Sequence, residues 1–223
     1  MSSRIAVVVP CYRVKAHIAG VIAAIGPEVD SIYCVDDACP EGSGDFIEAT
    51  ISDPRIQVIR HDNNQGVGGA VITGYRQAIA DGADVIVKLD GDGQMDPALL
   101  PRFVGPILRG ECDYTKGNRF WDLSGIDEMP AVRRIGNLCL SFLSKASTGY
   151  WDVFDPTNGY TAIHARVAEY LPFESVSKRY FLNPTCCSAS TRFVQSSTTF
   201  RWMRAMAMKS AASESHASSA SSC

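Results

Sequence analysis

Four short apolar runs, each followed by a stretch with helical spacing, restrict this chain more than any other feature. Ile5 to Val9 is continuous, Val-rich and stopped by Pro10, as a strand buried on both faces would be. Ile32 to Val35, Gln57 to Arg60 and Val85 to Leu89 repeat the pattern. Between and after them, Val14 to Ile25, Phe46 to Ile51 and Gly68 to Ala80 read as helices, and Pro97 suits the first turn of a helix running to about Arg109. Strands alternating with helices of this size predict an α/β chain, a doubly wound and mainly parallel sheet with helices on both faces. In such a sheet, ligands bind at the carboxyl ends of the strands.

With 223 residues and 46% of them hydrophobic, one globular domain is expected rather than two. The net charge of -3 argues against a general nucleic-acid binder. Eight Cys without a paired C-x-x-C spacing, and no basic-then-apolar leader at the N-terminus, point to a reducing cytoplasm with most Cys as small core residues. No apolar run approaches the ~18 to 20 residues of a membrane-spanning helix, although contact with a membrane surface stays open. Residues 1–181 hold all 18 Gly and 23 of the 24 acidic residues, whereas residues 182–223 are rich in Ser and Thr and hold only Glu214. By composition that second stretch reads as a disordered tail.

The chemistry gathers at the strand ends. Val85-Ile86-Val87-Lys88-Leu89-Asp90-Gly91-Asp92-Gly93-Gln94 delivers two carboxylates one residue apart, between glycines that let the backbone turn tightly. Such hard oxygen donors suit Mg2+ or Mn2+ bridging to substrate phosphates, and a polar turn is the alternative. A calcium EF-hand fits less well, because Met95 stands at the sixth loop position and Pro101 at the twelfth. Asp36-Asp37 follows Val35 in the same manner and could instead accept hydrogen bonds from a base or ribose. His61 to Ala70 is a Gly-rich entry into a helix, where backbone around Gly66 can approach phosphate. It has neither the Walker pattern nor the position of a Rossmann fingerprint.

In order and spacing these segments resemble the family 2 glycosyltransferases of GT-A fold, especially the dolichol-phosphate and polyprenol-phosphate sugar synthases. The resemblance covers about residues 4–181. Val7-Val8-Val9-Pro10-Cys11-Tyr12-Arg13 is similar to the family's V-V-I-P-x-Y-N opening, with Arg13 where Asn is common. Val35-Asp36-Asp37-Ala38 matches V-D-D-x, Asn64-Gln65-Gly66 matches N-x-G, and Asp90 to Gln94 matches D-x-D-G-Q. Asp155 to Tyr160 resembles the D-x-x-x-G-[FY] stretch beside the acceptor, and Lys116-Gly117-Asn118-Arg119 is expected to follow a fifth strand.

The resemblance implies a nucleotide-diphosphate sugar lying across the strand ends. Pro10, Tyr12 and Asp37 would hold base and ribose, and Asp90, Asp92 and Gln94 the metal on the diphosphate. Arg13, Asp36, Gly66, Lys116 and Asn158 would complete the substrate contacts, with Asp92 and Arg119 in the catalytic roles. The implied reaction is inverting displacement at the anomeric carbon, onto a polyprenyl phosphate or another glycan acceptor. Residues 133–145 carry Ile135, Leu138, Cys139, Phe142 and Leu143 at helical spacing between cations, so they could rest on the cytoplasmic face of a membrane or pack in a core or dimer.

Synonymous codons for Leu182 onward, regrouped by one base, can encode E-S-D-M-L-F-R-L-N, the continuation expected of the family. Residues 182–223 are therefore expected to be an out-of-frame or disordered tail on a domain of residues 1–181, incomplete at its carboxyl end. An unambiguous in-frame read of the coding DNA around Phe181 would remove that expectation. A nucleotidyltransferase, or a catalytically inactive nucleotide-binding or scaffold protein, are the alternative functions.

Overall fold

The computed structural model describes residues 3–118, 159–171 and 173, together with the backbone of 197–201. The chain divides into two compact units, Met1–Lys116 with Thr157–Thr198, and Gly117–Pro156 with Thr199–Cys223. Nearly all described residues fall in the first.

Its elements run β1 (Ile5–Cys11), α1 (Lys15–Ala23), β2 (Ser31–Asp36), α2 (Ser43–Thr50), β3 (Ile56–Arg60), α3 (Gly66–Ala80), β4 (Val85–Lys88), α4 (Leu100–Leu108), β5 (Tyr114–Asn118), β6 (Thr161–His164), α5 (Ala165–Glu169) and β7 (Ser197–Arg201). The strand order is β3-β2-β1-β4-β6-β5-β7. β1, β2, β3 and β4 pair in parallel, whereas β6 is antiparallel to both β4 and β5. The expected α/β class and mainly parallel sheet are what the chain forms.

Burial on both faces explains the uninterrupted apolar runs. Ala6, Val8, Tyr33, Val35 and Ile86 pack against Ala70, Val71 and Tyr75 of α3. Gly74 of α3 lies so close to Val8 that a Cβ there would overlap the valine side chain. On the opposite face Val9 is neighbour to Ile18 of α1, and Phe103 of α4 stacks on Tyr160 with ring centroids 4.1 Å apart. Cys11, Cys34 and Cys112 are buried in this core, Cys39 is half-buried, and all four are free thiols.

Several boundaries differ from expectation, among them α2, which starts at Ser43 rather than Phe46, and α3, which starts at Gly66 rather than Gly68. β1 continues through Pro10 to Cys11. Even-numbered residues here turn their backbone groups towards β4, since Arg4 O accepts from Val85 N and Val8 O from Leu89 N. The N–H that Pro10 lacks would point past the end of that ladder, so the proline costs no sheet bond. The helix expected from Pro97 begins instead as a 3₁₀ turn, Pro97–Leu99, capped by Asp96 Oδ1 accepting from Ala98 N at 3.1 Å. Lys116, Gly117 and Asn118 lie within β5 rather than after it.

Residues 133–145, Arg119 and Asn158 lie outside the described residues, as do 182–196 and 202–223 of the expected tail, while Ser197–Arg201 within that tail is a strand. Among the described residues no helix is long and apolar enough to cross a membrane.

Candidate functional site

The carboxyl ends of β1, β2 and β4 and the first turns of α3 enclose a cleft of about 410 Å³. Pro10, Tyr12, Asp37, Gly66, Asp90 and Asp92 line it together, with Cys11, Val14, Asn64, Val67, Ala70 and Gly91 completing the wall. Arg13, Asp36, Gln94 and Lys116 are not on that wall.

The two adjacent carboxylates after Val35 part company. Asp36 ends β2, and its oxygens accept from Cys39 N at 2.7 Å and Gly44 N at 2.6 Å, so the side chain holds the start of α2. It is a buried anchor rather than a group presented to the cleft. Asp37, one residue on, reaches across to α3. Its Oδ1 accepts from Gln65 N at 2.8 Å and its Oδ2 from Gly66 N at 2.7 Å, an anionic group set at a helix N-terminus. His61 Nδ1 stands 2.7 Å from the same Oδ1.

Tight turns carry the chain over the cleft. Among the described residues, Arg13 and Ala38 are the two non-glycine residues with positive φ, at +57° and +50°. This is the backbone region Asn tolerates better than Arg, which gives a physical reason for the Asn common in the family where Arg13 stands. Arg13 places its guanidinium over the Tyr12 ring, 5.5 Å from the centroid, and its N–H donates to Cys39 Sγ at 3.1 Å. Burial pushes the Cys39 thiol up, but hydrogen bonds from Ser43 and from the N–H groups of Arg13, Glu41 and Ser43 bring it below its ordinary value. Replacing Ala38 by Gly removes the left-handed penalty and should raise stability by about 0.5–1 kcal/mol, read from the urea midpoint.

The carboxylates after β4 are supported unequally. Asp90 Oδ1 lies 2.6 Å from Lys88 Nζ, and the lysine side chain is only 5% exposed against 28% for Asp90. A buried ammonium needs such a partner. Lys88, Thr161 and Lys116 stand in one row across β4, β6 and β5, all buried. Gly159 passes directly over the pair, since a Cβ on it would overlap Lys88 Nζ and Asp90 Oδ2. Asp92 is exposed and accepts from Gln94 N at 3.0 Å, a turn that leaves its other oxygen open, and Gln94 is exposed as well.

Among the described residues no group of three His, Cys, Asp or Glu side chains converges as a metal cage. Two carboxylates one residue apart, with neither His nor Cys beside them on the wall except Cys11, nevertheless fit a hard divalent cation that takes its remaining ligands from water and phosphate.

Reading the sequence missed Lys88, His61 and the close approach of Gly159. A lysine inside an otherwise apolar run was the available signal for the first.

A family model described as glycosyl transferase family 2 matches residues 6–171. The UDP-N-acetylglucosamine–dolichyl-phosphate N-acetylglucosaminyltransferase of Methanococcus voltae is 29% identical over 196 residues, covering 82% of this chain and 76% of its own. The undecaprenyl-phosphate mannosyltransferase of Micrococcus luteus is 29% identical over 154 residues, covering 69% of this chain and 62% of its own. Among solved structures, glucosyl-3-phosphoglycerate synthase from Mycobacterium tuberculosis, in complex with Mn2+, UDP and glucosyl-3-phosphoglycerate, shares the fold. Its TM-score is 0.58 at 21% identity, over 83% of this chain and 64% of that one. The chain thus spans less than two thirds of the length of two of these three.

Proposed function

Because the chain belongs to glycosyl transferase family 2, we propose that its cleft binds a nucleotide-diphosphate sugar with Mg2+ or Mn2+ and passes the sugar, with inversion, to a polyprenyl phosphate. The observation that carries this reading is that Asp90 and Asp92 share one cleft with Asp37 and the N-terminus of α3. The names of the Methanococcus and Micrococcus relatives supply the acceptor class, and the Mycobacterium structure, with Mn2+ and UDP, supplies precedent for the cation. Another glycan acceptor would use the same donor half.

Asp90 and Asp92 would hold the ion, with Gln94 beside them by family resemblance. Once bound, the ion offsets negative charge developing on the leaving diphosphate. Asp37, Pro10 and Tyr12 receive the nucleoside, and Gly66, whose N–H donates to Asp37 Oδ2, forms the wall beside them. Lys88 holds the Asp90 carboxylate in place through the 2.6 Å contact to its Oδ1. A phosphate acceptor arrives as an anion, so it needs little help from a general base. Arg119 near the diphosphate and Asn158 near the acceptor are assigned from the resemblance, as is membrane contact through residues 133–145. The activity is assigned to residues 1–181 on the cytoplasmic side.

Calorimetric titration with UDP, GDP and dTDP, with and without Mn2+, tests the reading. Manganese-dependent binding that falls at least tenfold in Asp92→Ala is expected. A folded wild-type chain that binds none of the three overturns it. Turnover of the matching donor sugar separates an enzyme from an inactive nucleotide binder.

A further inference from the structure

The Asp37 carboxylate sits at the end of a buried chain of hydrogen bonds that the assigned roles do not use. Asp37 and His61 expose only 3% and 6% of their side chains. A carboxylate can only accept, so the 2.7 Å contact assigns the proton to His61 Nδ1. At the other side of the ring, Nε2 is 2.9 Å from Thr73 Oγ1, on the second turn of α3. In the neutral ring Nε2 has a free lone pair and Thr73 donates to it, which locks the tautomer that serves Asp37.

We propose that His61 and Thr73 are positioning residues that hold Asp37 so that the cleft selects donors whose base offers a ring N–H. The proposal rests on the cleft being a nucleotide site and concerns which nucleotide it takes.

The count of lone pairs leads there. Oδ1 accepts from His61 and from Gln65 N, and Oδ2 accepts from Gly66 N. A carboxylate offers about four acceptor positions, so the remaining one is on Oδ2, and Asp37 lines the cleft. The Asp37 backbone is held too, its carbonyl accepting from Asn64 Nδ2 at 3.1 Å.

An acceptor fixed in this way pairs with N3–H of uracil or thymine, or with N1–H of guanine. It faces an opposing lone pair at N3 of cytosine or N1 of adenine. A site built to receive an N–H rejects an analogue that lacks it by far more than a shape mismatch would. Without the imidazole, one acceptor position on Oδ1 opens and only Gln65 N and Gly66 N hold the carboxylate, so an amino group on a wrong base gains a partner. The relay therefore acts on discrimination as well as on affinity.

The experiment measures dissociation constants for UDP, GDP and CDP in the presence of Mn2+, alongside thermal melting, for the full chain and three variants. Wild type should prefer UDP or GDP over CDP by at least about 100-fold. His61→Leu should shrink that preference about tenfold or more, and His61→Asn, whose amide can donate from near the Nδ1 position, should restore most of it. Thr73→Val, which keeps the shape of the side chain, should shrink it about threefold without unfolding the chain. If His61 only supports the fold, melting falls while the UDP-to-CDP ratio stays at its wild-type value in folded His61→Leu and Thr73→Val, and the proposal is overturned. Should His61→Leu not fold, an unchanged ratio in Thr73→Val overturns the relay alone. A wild-type chain that binds no nucleotide defeats the nucleotide reading itself, an outcome distinct from either.

Discussion

Asp90→Ala should lower donor turnover by about 10³-fold and also cost about 2 kcal/mol of stability, whereas Asp92→Ala should lower turnover as much and leave stability within about 0.5 kcal/mol. Both side chains are assigned to the same cation, so their catalytic losses are alike. Their folded-state partners are not. Removing Asp90 strands the ammonium of Lys88, whose side chain is 5% exposed and has Asp90 Oδ1 at 2.6 Å. Removing Asp92 gives up one local turn to Gln94 N on an exposed loop. Because Asp90 is itself 28% exposed, water entering the gap relieves part of the penalty, which places the cost at the low end for a broken buried pair. Changing Lys88 to Met together with Asp90→Leu should recover the lost stability and none of the turnover. Urea titrations and donor hydrolysis rates check both halves, and equal melting of the two single variants would remove Lys88 from its assigned part.

Gly159→Ala should reduce turnover by about 10²-fold and weaken Mn2+ binding while leaving the sheet assembled. The added Cβ would overlap Lys88 Nζ and Asp90 Oδ2 and come within 3.1 Å of Met95 Cε. Lys88 cannot yield easily, because it is a buried residue of β4 paired with the equally buried Thr161 of β6. Asp90 can, and its movement takes a carboxylate away from the cleft. Overpacking of this kind costs about 1–3 kcal/mol, so the variant should still fold. Manganese titration of the folded variant separates this from general damage, and an affinity equal to wild type would show that the loop moves aside instead.

Much of the site could be read before the fold was known, because strand ends in a doubly wound sheet are marked by where apolar runs stop. Pro10, Tyr12, Asp37, Gly66, Asp90 and Asp92 all meet in the cleft. Asp36 and Asp37 could not be told apart along the chain. One is the last residue of β2 and the other the first of the turn, so neighbouring carboxylates reach different helices. Gln94 was placed by motif, yet a motif does not say which way a turn residue faces. Lys88 and Gly159 were obscured for another reason. Their meaning depends on β6 lying against β4, a pairing between segments far apart in sequence that no local pattern announces.

That pairing also dictates when the site can exist. β4 gains β1 as a neighbour early, but its other edge waits for Thr161–His164, so residues 89–160 must leave the ribosome first. At ~5–20 residues per second this leaves an apolar strand edge open for several seconds of synthesis. During that interval Lys88 and Asp90 have no Gly159 above them and no β6 beside them. A nascent chain interrupted before Thr161 thus already carries both carboxylates but lacks the β6 partner of β4 and the Gly159 backbone above them.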